Sequence, residues 1–156
     1  MKTFMSRAAL AGLLMGVSVL ASAATPAPEG AKVSIVSPKD GANIPQTVVV
    51  KFAVENIALA PAGDLTKNTG HHHLLIDVDE LPAAGVPIPK DANHQHFGAA
   101  QTQAEVTLTP GKHTLQLELG DSNHMPFDPP IVSEKITVNV KSVSYTHLTL
   151  PTIYSV

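Results

Sequence analysis

The chain of 156 residues has no cysteine and no tryptophan. Without cysteine there are no disulfides and no thiolate ligands, so a metal site has to use His, Met, Asp or Glu. Aromatic residues are scarce: beyond residue 24 the phenylalanines are Phe52, Phe97 and Phe127. Stacking platforms for bases or sugars are correspondingly few. Basic residues are also few, with 10 Lys plus Arg against 13 Asp plus Glu. None of them cluster, which argues against nucleic acid or an anionic lipid surface as partner. No apolar run long enough to span a membrane follows the first 23 residues.

The first of the features present is an N-terminal targeting pattern. Lys2 and Arg7 form a short basic region, Ala8 to Leu20 an apolar one, and Ala21-Ser22-Ala23 a small-x-small cleavage site. The mature chain is therefore expected to start near Ala24, after a signal peptide over 1–23. With no Cys for a lipid anchor and no twin-arginine pair, the expected destination is the periplasm or the exterior. Residues 24–31, which include Pro26 and Pro28, are expected to be a disordered lead.

The C-terminal stretch Val143 to Thr152 (VSYTHLTLPT) has no place in the strand pattern. It looks like one frame of a translated transposon-end sequencing adapter. We expect the natural protein to end near Lys141, with 142–156 a non-native tail, and set His147 aside. What remains, 32–141, has the length of one domain. Without Lys2 and Arg7 the mature charge is 8 − 13 = −5 with neutral histidine.

Periodicity is of the strand type nearly throughout. It predicts strands at Lys32 to Val36, Thr47 to Val54, His72 to Val78, Gln103 to Thr109, Lys112 to Leu119 and Ser133 to Val140. The third has two apolar faces, as a central strand would. Pro110-Gly111 predicts a tight turn pairing the strands on either side of it. Pro82, Pro87 and Pro89 make 80–93 a long connection with at most an edge strand. Six or seven short strands point to an all-β fold, a single antiparallel β-sandwich of immunoglobulin-like type.

Three stretches carry most of the histidine: Gly70-His71-His72-His73, Asn93-His94-Gln95-His96-Phe97-Gly98 and Gly120-Asp121-Ser122-Asn123-His124-Met125. The alternating strand directions bring all three to one end of the sandwich, while His113 falls at the other. Strand side chains alternate faces, so His71 and His73 point one way and His72 the other. Positions i and i+2 are about 6.6 Å apart along a strand, a workable span for two imidazoles on one ion. The candidate metal ligands are His71, His73, His94, His96, His124 and Met125. His72 and Asp121 are weaker candidates: His72 is expected at the rim of the core and Asp121 in the turn after Gly120. A His/Met set without thiolate suits copper, with zinc as the alternative. His113 is expected to be structural.

The blocks TGHHHLLID, PIPKDANHQHFGAAQTQ and LTPGKHTLQLELGDSNHMPFDPPIVSEKITV, spanning about 67–140, resemble DUF4399, a family of bacterial exported domains of unknown function. The resemblance implies a small secreted or periplasmic domain and leaves its biochemical role open. Met125-Pro126-Phe127 departs from the more polar loop, with a second histidine, expected there.

Three functions compete. The first is a periplasmic or secreted metal-binding module for sequestration or delivery, with a metal ion and an envelope protein as partners. The second is a non-metal module that binds an envelope protein or polymer through the same loops. The third is a metal-dependent hydrolase with Glu80, Asp91 or Asp121 as base. No Ser elbow and no HExxH motif is present, so we do not expect an enzyme.

Overall fold

The structure, a computed structural model, describes residues 24–142. The segment expected to be a signal peptide, 1–23, and the adapter-like stretch 143–152, His147 included, lie outside the described residues. Among the described residues nine strands follow in order: β1 (Lys32–Ser37), β2 (Asn43–Ile44), β3 (Thr47–Glu55), β4 (Ala58–Leu59), β5 (Thr69–Ile76), β6 (His94–Phe97), β7 (Gln103–Thr107), β8 (Gly111–Gly120) and β9 (Ile136–Val140). Among the described residues no helix is long and apolar enough to cross a membrane.

The strands form two sheets. One has three strands in the order β1-β3-β7; the other runs β2-β9-β8-β5-β4, with β6 also pairing with β5. The long pairings are antiparallel. Alternating side chains point into the space between the sheets: Val33, Val50, Phe52 and Val106 from the smaller, and Leu74, Ile76, Leu115, Leu117, Leu119, Ile136, Val138 and Val140 from the larger. Burial of this apolar set is the main stabilising contribution, at about 1.5–3 kcal/mol per fully buried aliphatic side chain. The result is the expected all-β immunoglobulin-like sandwich.

Three expectations need correction. The count of six or seven strands is low, because β2 and β4 are two-residue strands in parallel pairings and β6 is a four-residue strand. Runs that short carry no periodicity. The turn at Pro110-Gly111 does not close a hairpin: β7 pairs with β3, and β8 pairs with β5 and β9. The chain crosses there from one sheet to the other, with Gly111 at φ 130°, in the left-handed range open to glycine. Each strand thereby buries its apolar face from the opposite side of the core.

The third correction concerns the lead. Pro26 bridges to Asp128, the Ala27 N–H donates to the Asp128 carbonyl at 2.9 Å, and the Asp128 N–H donates to Thr25 at 2.9 Å. Ala27 and Ala31 pack against the core. Two backbone bonds and apolar contact offset the entropy that its composition suggested would win.

Candidate metal centre

Both faces of β5 are buried, and this places the histidines. The strand begins at Thr69, so all three adjacent histidines lie within it. Opposite partners show which face each one takes. On the inner face His72 lies opposite Leu119 and Phe97. On the outer face His71 lies opposite Gly120, and His73 lies between His96 on β6 and Glu118 on β8. His96, His73 and Glu118 thus form one row across three strands.

The fourth imidazole comes from the turn after β8. His124 has φ 64°, an uncommon conformation for a non-glycine residue. Asp121 builds this turn: its Oδ1 accepts the N–H groups of Asn123 at 2.8 Å and Met125 at 2.9 Å. Its other oxygen accepts the Thr25 hydroxyl at 2.5 Å, so the lead helps to hold the turn. The His124 carbonyl accepts the Ile88 N–H at 2.7 Å, which brings the Pro-rich connection over the site.

His71, His73, His96 and His124 converge. His71 has ring centroids 4.8 Å from His73, 4.9 Å from His96 and 5.0 Å from His124. One ring nitrogen from each of His71, His73 and His96 lies within 4.8 Å of the others. The Nε2 atoms of His96 and His124 are 3.1 Å apart. Bonds of about 2.0–2.1 Å put two nitrogens on one tetrahedral ion roughly 3.4 Å apart. The His96–His124 pair is close to that spacing, and the nitrogens of His71 and His73 lie within 4.8 Å of that of His96.

Two glycines make room for these rings. A Cβ on Gly120 would stand 2.6 Å from Cε1 of His73, and one on Gly98 would overlap the His96 ring, 2.6 Å from its Nε2. Only a residue without a side chain fits at either place.

His71 and His73 are each 1 % exposed. Burial, reinforced by the neighbouring imidazoles, lowers the His71 pKa to about 4 and that of His73 to about 3. Burial also lowers His96, helped by His124 and the Lys90 ammonium. These rings are therefore neutral at neutral pH and keep a free lone pair, the state a metal requires. Nε2 of His71 and both ring nitrogens of His73 have no hydrogen-bond partner among the described residues. A cavity of about 370 Å³ opens beside them, lined by His73, His96 and His124 with Pro87, Ile88, Lys90 and Asn123.

The other candidates go elsewhere. His94 lies one step further down β6, opposite Leu75. Its Nδ1–H donates to Asp91 at 2.8 Å, and Asp91 also accepts the His94 backbone N–H at 2.9 Å, so it closes the Pro-rich connection. His72 is wholly buried; its Nδ1–H donates to the Gln101 carbonyl at 3.0 Å, and its ring packs on Phe52 at 4.9 Å. Asp121 supports the turn, and Met125 is buried one residue after His124. His113 sits at the far end of β8. Its Nδ1–H donates to Asp77 at 2.6 Å and its Nε2 to the Thr109 carbonyl at 2.8 Å. Burial works against its protonation, but bonding to two acceptors and the Asp77 charge raise its pKa overall.

Glu118 was no candidate from the sequence, because its neighbours Leu117 and Leu119 dominate the strand pattern. It is wholly buried, and neither carboxyl oxygen has a hydrogen-bond partner among the described residues. Burial pushes its pKa up to about 7. Alternation along β8 gives its face, but its pairing with His73 depends on a register that the sequence does not show. Gly98 and Gly120 likewise give no signal of this role in the sequence.

A family model described as "Domain of unknown function (DUF4399)" matches residues 50–141. The chain belongs to the DUF4399 family. In this member the match covers β5, β6 and the turn after β8, and therefore all four converging imidazoles. It starts earlier than the blocks noted above, within β3. No curated protein matches this DUF4399 chain. Among solved structures it is similar to the fibronectin(III)-like modules of Clostridium thermocellum CbhA. The identity is 14 %, covering 70 % of this chain and 93 % of that one, with a TM-score of 0.32.

Proposed function

We propose that this protein is an exported metal-binding module that holds one transition-metal ion with His71, His73, His96 and His124. The carrying observation is the convergence of four imidazoles, two of which, His71 and His73, have buried ring nitrogens without a partner among the described residues. An unsatisfied buried nitrogen has a cost that a metal bond removes. Neutral imidazoles suit copper, zinc and nickel alike. Among these we take copper first, with zinc as the alternative, for a site of imidazoles without thiolate. Binding for sequestration or delivery, rather than catalysis, is the reading we prefer, with the periplasm or the exterior as its place of action.

The test is metal analysis of untagged protein recovered from the periplasm. Stoichiometric copper supports the reading, stoichiometric zinc redirects it to the second metal, and only traces of any metal contradict it.

One observation favours a second reading. The His96–His124 contact is itself an imidazole–imidazole hydrogen bond, so the rings can serve as mutual loop supports. The site would then bind an envelope protein or polymer without metal. In that case a chelator leaves thermal stability and partner capture unchanged.

A further inference from the structure

Four neutral imidazoles bring no negative charge to a cation. Histidine ligands ordinarily hand their second ring nitrogen to an acceptor, which fixes the tautomer and strengthens the metal bond. His96 and His124 touch each other at Nε2, and His71 lies at the top of the strand with only its Nε2 unpartnered and buried. His73 is different: both of its nitrogens are buried without partners.

Glu118 is the direct cross-strand partner of His73. Opposite residues of an antiparallel pair share a face, with Cβ atoms about 4.5–5.5 Å apart. The Nδ1 edge of His73 overhangs Gly120, two residues further along the same strand. A wholly buried carboxyl with both oxygens unpartnered is uncommon, and so is an imidazole with both nitrogens unpartnered. Here the two are neighbours on one sheet face.

Resting on the metal-site reading above, we propose that Glu118 is a positioning residue for that site. Once an ion is held by one nitrogen of His73, the other donates its N–H to the Glu118 carboxylate, which also supplies the charge that the four rings lack. Glu118 touches no ligand of its own in this role; it acts through His73.

The test compares the wild-type protein with Glu118→Gln in calorimetric titrations with Zn(II) and Cu(II), beside thermal melts of both without metal. Affinity is expected to fall roughly 10- to 100-fold, while the metal-free melting temperature stays the same or rises. Affinity within about threefold of wild type overturns the proposal, and so does a loss of affinity matched by a lower metal-free melting temperature. A wild-type protein that binds neither ion overturns the site reading and this proposal with it. Zinc-loaded wild-type protein provides an independent measurement should the variant not fold. One His73 ring nitrogen should carry a slowly exchanging, downfield N–H in long-range ¹H–¹⁵N spectra. Its absence overturns the proposal whatever the variant does.

Discussion

The Nε2 atoms of His96 and His124 lie 3.1 Å apart although 28 residues separate them in the chain. One ring is fixed by the pairing of β6 with β5, the other by the Asp121 turn that follows β8. Two independently positioned imidazoles meet at the separation of two ligands on one ion. This relationship makes the site specific to particular histidines rather than to histidine-rich loops in general.

His94 and His96 therefore separate in function. His96→Ala is expected to weaken Cu(II) or Zn(II) binding roughly 100-fold, about 2.7 kcal/mol, while His94→Ala leaves it within about threefold. His94→Ala loses the bond to Asp91 instead and costs about 1 kcal/mol of stability. Calorimetric titration and urea unfolding of both variants check this.

Gly98→Ala and Gly120→Ala probe the space around the rings. Each new methyl would meet an imidazole well inside contact distance. Affinity is expected to drop at least tenfold in each, with His96 displaced in the first and His73 in the second. Ring-proton shifts of the two histidines in NMR spectra identify which one has moved.

The metal-free protein should respond to pH in two opposed ways. His71 and His73 have folded pKa values of about 4 and about 3, below the ordinary 6.5. The unfolded chain binds protons there that the folded one refuses, so stability falls as pH drops from 6.5 toward those values. Glu118, raised from 4.5 to about 7, acts oppositely. Its contribution is present below pH 4.5 and is lost as pH rises toward about 7. Glu118→Gln removes that second effect. At about pH 8 the variant should be the more stable by about 1–3 kcal/mol, and its decline on acidification from pH 6.5 should be steeper than that of wild type. Thermal melts in chelator across this range check both signs.

His113 lies at the other end of β8, bonded to Asp77 and Thr109. His113→Ala should cost about 1 kcal/mol of stability and leave metal affinity unchanged. Because its folded pKa is raised above 6.5, this contribution is present below pH 6.5 and fades as pH rises through the folded value. Urea unfolding of the variant at two pH values, with titration alongside, measures both.

Strand alternation made much of this legible in the sequence. The split of His71 and His73 from His72 follows from the two-residue period, and the end-to-end course of the strands brings His96 and His124 to one place. What alternation cannot give is sheet membership. The apolar faces of β7 and β8 look the same whether the two pair with each other or face each other across a core. Strand β6 was hidden because four residues of half-buried pattern, with two histidines, resemble a loop. His94 shares with His96 the His-x-His spacing that makes both candidates, and spacing alone does not separate them; Glu118 meets His73 through a cross-strand register that no local pattern encodes. The docked lead is similar: Thr25 meets Asp121 96 residues away.

The most direct measurement is titration of the protein with Cu(II) and Zn(II), beside a double variant carrying His71→Ala and His73→Ala. A four-imidazole site requires one ion per chain with a dissociation constant below about 10 µM, and at least a hundredfold loss in the double variant. Binding weaker than about 100 µM, or binding that the double variant retains in full, contradicts the metal site.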